Sequence, residues 1–133
     1  MSKQDLDVLV SYRLQRATDA LIEARLMEGE AHWNACANRL YYAAFYAVSA
    51  LLLLDGHQVS KHSGIKALFN QHYIKSAIFT LESGRFYNRL FDLRQEGDYF
   101  DLVFFDAETI APLVDETDAF IKRVQSYITI QQQ

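Results

Sequence analysis

Between Leu40 and Leu54 the chain is apolar on every side of a helix, apart from Ser49 and the hydroxyls of Tyr41, Tyr42 and Tyr46. A helix without a polar face has to be covered all round by other elements. This run therefore predicts a central helix packed by several neighbours. Ala43, Ala44, Ala47 and Ala50 carry little bulk, so those neighbours can approach closely. The run is shorter than the roughly 20 residues that cross a bilayer, so a core helix is expected and no membrane association. Its helix extends over about residues 31–55, and Asp55-Gly56 ends it.

The rest of the chain supplies the cover. Residues 4–28 carry Leu6, Leu9, Val10, Ala17, Ala20, Leu21, Ala24 and Met27 at three-and-four spacing, one apolar stripe on a long helix, with Gly29 as its stop. A shorter helix follows to about Tyr73, with Ser60 as its cap and Ile65, Leu68, Phe69 and His72 on one face. Residues 74–82 fit no single pattern. Ser83 caps a fourth helix that runs to about Glu96, with Phe86, Leu90 and Leu93 inward and Gly97 at its end. The stretch from Asp98 to Phe105 is the least helical. Asp106 then caps a last helix with Ile110, Leu113, Val114, Thr117, Phe120, Ile121, Val124 and Ile128 on its stripe. Pro112 falls in its second turn. The final residues, 129–133, are expected to fray.

The expected architecture is all-α: an up-and-down bundle of about five helices around a four-helix-bundle-like core, one domain over residues 1–133. Five Gly and one Pro in 133 residues argue against a many-turned β fold. A net charge of −4 gives no global basic footprint for duplex nucleic acid, so such a contact needs a local cluster of cations. Cys36 is the only cysteine, which excludes an internal disulfide, and its Ala-rich surroundings make it a small buried hydrophobe. The polar start, Met1-Ser2-Lys3-Gln4-Asp5, has no signal-peptide pattern, and a cytoplasmic protein is expected.

Three segments carry a family resemblance. They are Asn38-Arg39-Leu40-Tyr41-Tyr42-Ala43-Ala44-Phe45, then Lys61-His62-Ser63-Gly64 followed by Ala67-Leu68-Phe69, then Leu93-Arg94-Gln95-Glu96-Gly97-Asp98-Tyr99. In that order and spacing they resemble the HEPN family, in particular its UPF0332-like branch. The resemblance implies a helical bundle that commonly forms homodimers. It also implies frequent pairing with a minimal nucleotidyltransferase in prokaryotic toxin–antitoxin or defence modules. Many members of the family are metal-independent RNases. Their motif is an Arg, four to six residues and a His, and two copies meet in the cleft of a dimer.

Arg94 stands at the family's arginine position, and no His follows it. Asp98-Tyr99 stands there instead, as in the UPF0332-like branch. The absence bears on the chemistry. Metal-free RNA cleavage moves a proton off the ribose 2′-hydroxyl and places charge on phosphorus. Arg94 suits the charge, because its planar fork of donors matches phosphate oxygens. A histidine suits the proton, because it titrates near neutrality. Free Asp is a weak base, and free Tyr titrates near 10, so Asp98 or Tyr99 would need a strongly perturbed environment. The plain structural reading is an ion pair of Arg94 with Asp98, four residues on, near a helix C-terminus.

Arg94, Asp98 and Tyr99 are thus the candidate catalytic residues, and Asn38, Arg39, Tyr42 and Arg89 the candidate RNA- or nucleotide-binding ones. Asn38, Tyr42 and Phe45 share a helix face, and Asn38 needs a hydrogen-bond partner if buried. That partner could equally belong to a network that only sets helix register. Arg85, Arg89 and Arg94 are the densest basic set, although Arg94 lies off the face of the other two. Arg25 and His32, with six residues between them, match the motif formally, but across the first helix junction. His57, His62 and His72 do not have the spacing of a metal site, and His62 reads as a loop or cap residue. No cofactor and no metal is expected. The favoured function is a module that binds RNA, a nucleotide or a nucleotidyltransferase partner without the usual RNase His. The alternatives are an RNase toxin with a variant Arg94/Asp98/Tyr99 site and a purely structural dimerisation bundle.

Overall fold

The computed structural model describes residues 1–58 and 61–133. Five α-helices account for most of it: α1 Lys3–Gly29, α2 Trp33–Leu54, α3 His62–Phe69, α4 Leu81–Tyr99 and α5 Ala107–Gln132. A π-helical turn, Asn70–Ile74, continues α3. No strand occurs among the described residues. The architecture is the all-helical bundle expected from the apolar periodicity.

α2 is the central helix. Leu40, Tyr41, Ala43, Ala44, Ala47, Val48, Ala50 and Leu51 are all inaccessible to solvent. α1, α3, α4 and α5 each pack on it, α1 most extensively. Small residues line both helices of that pair: Ala17, Ala20 and Ala24 are buried on α1, beside the alanines of α2. Taken at its full 22 residues, α2 is long and apolar enough to cross a membrane. In the bundle, the covering by four helices accounts for its apolar character.

The helix ends show where side chains override local propensity. Ser2 and Asp5 close a reciprocal capping box at the start of α1. Asp106 caps α5 as expected, accepting from the Thr109 amide at 2.9 Å. α4 starts three residues earlier than its sequence suggests, because Thr80, and not Ser83, caps it through the Ser83 amide at 3.1 Å. The expected cap at Ser60 lies outside the described residues.

Gly97 does not end α4, which runs on to Tyr99. A Cβ at Gly97 would lie 2.9 Å from Cε2 of Phe105, so this glycine admits the Phe105 ring against the helix. Asp98 and Tyr99 therefore point from the last helical turn and not from a loop. Asn34 holds the segment beyond them: its Nδ2 donates to the Val103 carbonyl and its Oδ1 accepts from the Phe105 amide, both at 2.8 Å. α5 continues to Gln132, whose Nε2 donates to Asp7 Oδ1 at 3.2 Å.

Candidate functional site

The last turns of α4, the first half of α2 and the start of α3 meet around one guanidinium. Arg94 reaches inward from α4, and only 11% of its side chain is exposed. Its Nε donates to Asp98 Oδ2 at 3.0 Å, the one-turn pair that the spacing suggests. A second nitrogen donates to the hydroxyls of Tyr42 and Tyr99, at 3.0 and 3.1 Å. The carbon of the guanidinium lies 5.1–5.6 Å from the ring centres of Tyr41, Tyr42 and Tyr99. Such ring faces attract a cation. Burial works against the charge of Arg94, but the phenols and Asp98 outweigh it and push its pKa up. The third nitrogen, Nη1, has no partner among the described residues.

A second layer fixes Asp98. Asn38 Nδ2 donates to the same Asp98 Oδ2 at 2.8 Å. Both Nε and Nη2 of Arg39 donate to Asn38 Oδ1, at 3.0 and 2.8 Å. Arg39 also pairs with Glu23 of α1 at 3.1 Å and lies 5.0 Å over the Tyr42 ring. Asn38, Arg39, Tyr42, Arg94, Asp98 and Tyr99 therefore form one continuous network. A cavity of about 410 Å³ opens beside it, between Leu26, Met27 and Ala35 and the polar edge of Asn38 and Asp98.

Arg89 does not join this network. It lines a separate cleft with Glu82, Arg85, Phe86 and two α5 residues, Leu113 and Glu116. The formal Arg25–His32 motif is not assembled into it either. Arg25 pairs with Asp115 at 3.2 Å and Asp118 at 3.6 Å on α5.

His62, which reads from the sequence as a loop or cap residue, lies beside this network. It is the first residue of α3, and it packs on the same tyrosines that hold Arg94. Its ring lies 5.7 Å from both Tyr41 and Tyr42 and stacks on Phe45 at 4.5 Å. Tyr41 Oη and His62 Nδ1 are hydrogen-bonded at 2.8 Å. Burial first, and then the charge of Arg94, lower the pKa of His62 below its ordinary 6.5. Burial also pushes Tyr41 up to about 12, so its hydroxyl keeps its proton. A search confined to residues after Arg94 cannot find this histidine. The usable signal was Lys61-His62-Ser63-Gly64, one of the segments that carry the family resemblance. The other histidines are elsewhere: His57 and His72 stack on each other at 4.5 Å. No cluster of metal-binding side chains occurs among the described residues.

Known proteins align with nearly the whole chain. A UPF0332 protein of Thermotoga maritima is 38% identical over 90% of this chain and 91% of its own. A protein of Methanocaldococcus jannaschii named "Putative toxin" is 25% identical over 95% of this chain and 83% of its own. A second protein of that name and organism is 24% identical, over 95% and 85%. The model of the HEPN domain matches residues 10–127, from the first buried turn of α1 to the last turns of α5, and the chain belongs to the HEPN family.

Proposed function

We propose that this chain is a toxin-type HEPN protein whose Arg94 centre binds the phosphodiester backbone of RNA. The observation that carries this reading is the state of the guanidinium. Two of its nitrogens are spent on Asp98, Tyr42 and Tyr99, which orient the plane, while Nη1 has no partner among the described residues. A pre-oriented guanidinium with free donors is suited to a phosphate oxygen. The names of the two M. jannaschii relatives agree with a toxin type. Lys61, the cap residue of α3, and Lys66 within it add positive charge close to His62 in the chain.

Titration of fluorescent single-stranded RNA tests this, using wild type, Arg94→Ala and Arg94→Lys. Wild type should bind, with affinity falling as salt rises. Arg94→Ala should lose most of that affinity while remaining folded, and Arg94→Lys should recover part of it. Equal binding by wild type and a folded Arg94→Ala variant rejects the reading.

One observation favours a homodimer as the working form. Tyr99, Phe100, Leu102 and Phe104 are 66, 63, 89 and 83% exposed beside the Arg94 centre, on a segment that Asn34 holds in place. A contiguous apolar surface of this kind marks an interface. A second copy of the chain is the occupant that the family resemblance implies, and a minimal nucleotidyltransferase is the competing one. Light scattering of the purified chain should give the mass of a dimer, and Leu102→Glu with Phe104→Glu should give a monomer. A monomeric wild type sinks the homodimer.

A further inference from the structure

We propose that His62 is the proton-transfer group of a metal-independent ribonuclease built on the Arg94 centre. The inference rests on the reading of Arg94 as a phosphodiester site, and it adds the chemistry that the stretch from Arg94 to Tyr99 lacks.

The side chains nearest Arg94 are poorly placed to move protons. Asp98 Oδ2 already accepts from Arg94 and Asn38, and the hydroxyls of Tyr42 and Tyr99 accept from Arg94. His62 is differently arranged. Nδ1 is held by Tyr41, and Phe45 and Tyr42 fix the plane of the ring. Nε2 has no partner among the described residues. Tyr41 serves as the orienting group: its oxygen accepts from Nδ1–H in both the neutral and the charged imidazole, leaving Nε2 as the nitrogen that gains and loses the proton. Arg94 and His62 lie against the same two rings, Tyr41 and Tyr42, so one phosphodiester can meet both.

The reaction that this arrangement suits is transesterification at phosphorus. Nε2 of His62 takes the proton of the ribose 2′-hydroxyl. The 2′-oxygen forms a bond to phosphorus and the bond from phosphorus to the 5′-oxygen breaks. The departing 5′-oxygen takes a proton, returned by the imidazolium directly or through a water molecule. The products are a 2′,3′-cyclic phosphate and a 5′-hydroxyl, with no net uptake of protons and no metal or redox partner. Arg94 Nη1 stabilises the charge that builds on the non-bridging oxygens.

The pH dependence has a definite sign. The groups facing His62 are Tyr41 and Tyr42 from α2 and Arg94 from α4, with Lys61 and Lys66 nearby in sequence. Burial and Arg94 favour the neutral ring, so the base form persists below the ordinary histidine value of 6.5. Cleavage should rise with pH along an acid limb centred below that value.

The test is cleavage of a fluorophore–quencher RNA by the full chain in excess chelator, with RNA binding measured on the same samples. Wild type should cleave and leave cyclic-phosphate ends, and a 2′-deoxy sugar at the scissile position should block the reaction. His62→Gln should lose roughly a hundredfold or more in rate, with RNA affinity unchanged. Added imidazole should restore part of the rate to His62→Ala. Because His62 is half-buried, circular dichroism melting has to show that both variants are folded. If wild type binds RNA and cuts none, or if folded His62→Gln cuts at the wild-type rate, His62 is not the proton-transfer group and the Arg94 site survives. If wild type binds no RNA, the Arg94 reading falls first.

Discussion

Two aromatic clusters adjoin at α2, and they use the same residue types differently. One lies inside the bundle, where Phe69, Tyr73, Phe79, Tyr87, Phe120 and Tyr127 stack and tilt on one another at ring distances of 5.4–6.2 Å. The other surrounds Arg94 and His62 with Tyr41, Tyr42, Phe45 and Tyr99. The clusters touch through Tyr41 and Tyr87, 6.1 Å apart. In the interior cluster the rings fill space, and the hydroxyls fare unequally: that of Tyr73 donates to Asp55 at the edge of the bundle, whereas that of Tyr87 is a liability. Tyr87 is fully buried, and its hydroxyl has no hydrogen-bond partner among the described residues. In the second cluster the hydroxyls of Tyr41, Tyr42 and Tyr99 are all spent on the imidazole or the guanidinium. A phenol is chosen there for its oxygen as much as for its ring.

The contrast is sharpest under substitution. Phe120→Ala, in the interior cluster, should have the largest effect on stability, about 3–5 kcal/mol, because it removes a buried ring and leaves a cavity. Denaturant unfolding measures it, and the fraction still folded should bind RNA as before. Loss of binding by folded Phe120→Ala would mean that the clusters are not separable.

Tyr42→Phe should be milder, about 1.5–3 kcal/mol in unfolding, because it deletes one hydrogen bond to a charged group and keeps the ring. It should lower RNA affinity severalfold, since Arg94 loses one of its orienting acceptors. Undiminished affinity would reduce the Tyr42 hydroxyl to a packing feature.

Tyr87→Phe should have the smallest effect. Removing a buried hydroxyl without a partner is expected to leave stability within about 1 kcal/mol, on the stabilising side. A clear loss of stability would show that this hydroxyl has a partner in solution, the adjacent phenol of Tyr41 being the candidate.

Much of this molecule is legible in the order of its residues. The unbroken apolar surface of Leu40–Leu54 requires a buried helix, and α2 is that helix. The stripe of α5 and its Asp106 cap are equally plain. Cys36 is buried as its neighbours suggest, and burial pushes its thiol up to about 11. The pairing of Arg94 with Asp98 follows from helical spacing alone. Gly97 misleads, because glycine serves both helix ends and close approaches, and only the position of Phe105 shows which applies. Ser83 misleads because Thr80 offers the same capping chemistry three residues earlier.

The sequence by itself determined that the chain is a helical bundle of the HEPN family and that Arg94, Asp98 and Tyr99 sit together at a helix end. These are local facts, set by periodicity and by separations of four and five residues. Only the tertiary structure decided which distant groups join them. It brought Asn38 onto Asp98 and Tyr42 onto the Arg94 guanidinium, left Arg89 in another cleft, and set His62 against Tyr41, 21 residues away in the chain. The reason is physical. Helix spacing specifies neighbours within a turn or two, whereas the meeting of α2, α3 and α4 depends on how whole helices pack. The histidine that packs beside the tyrosines of Arg94 comes from a different helix, α3.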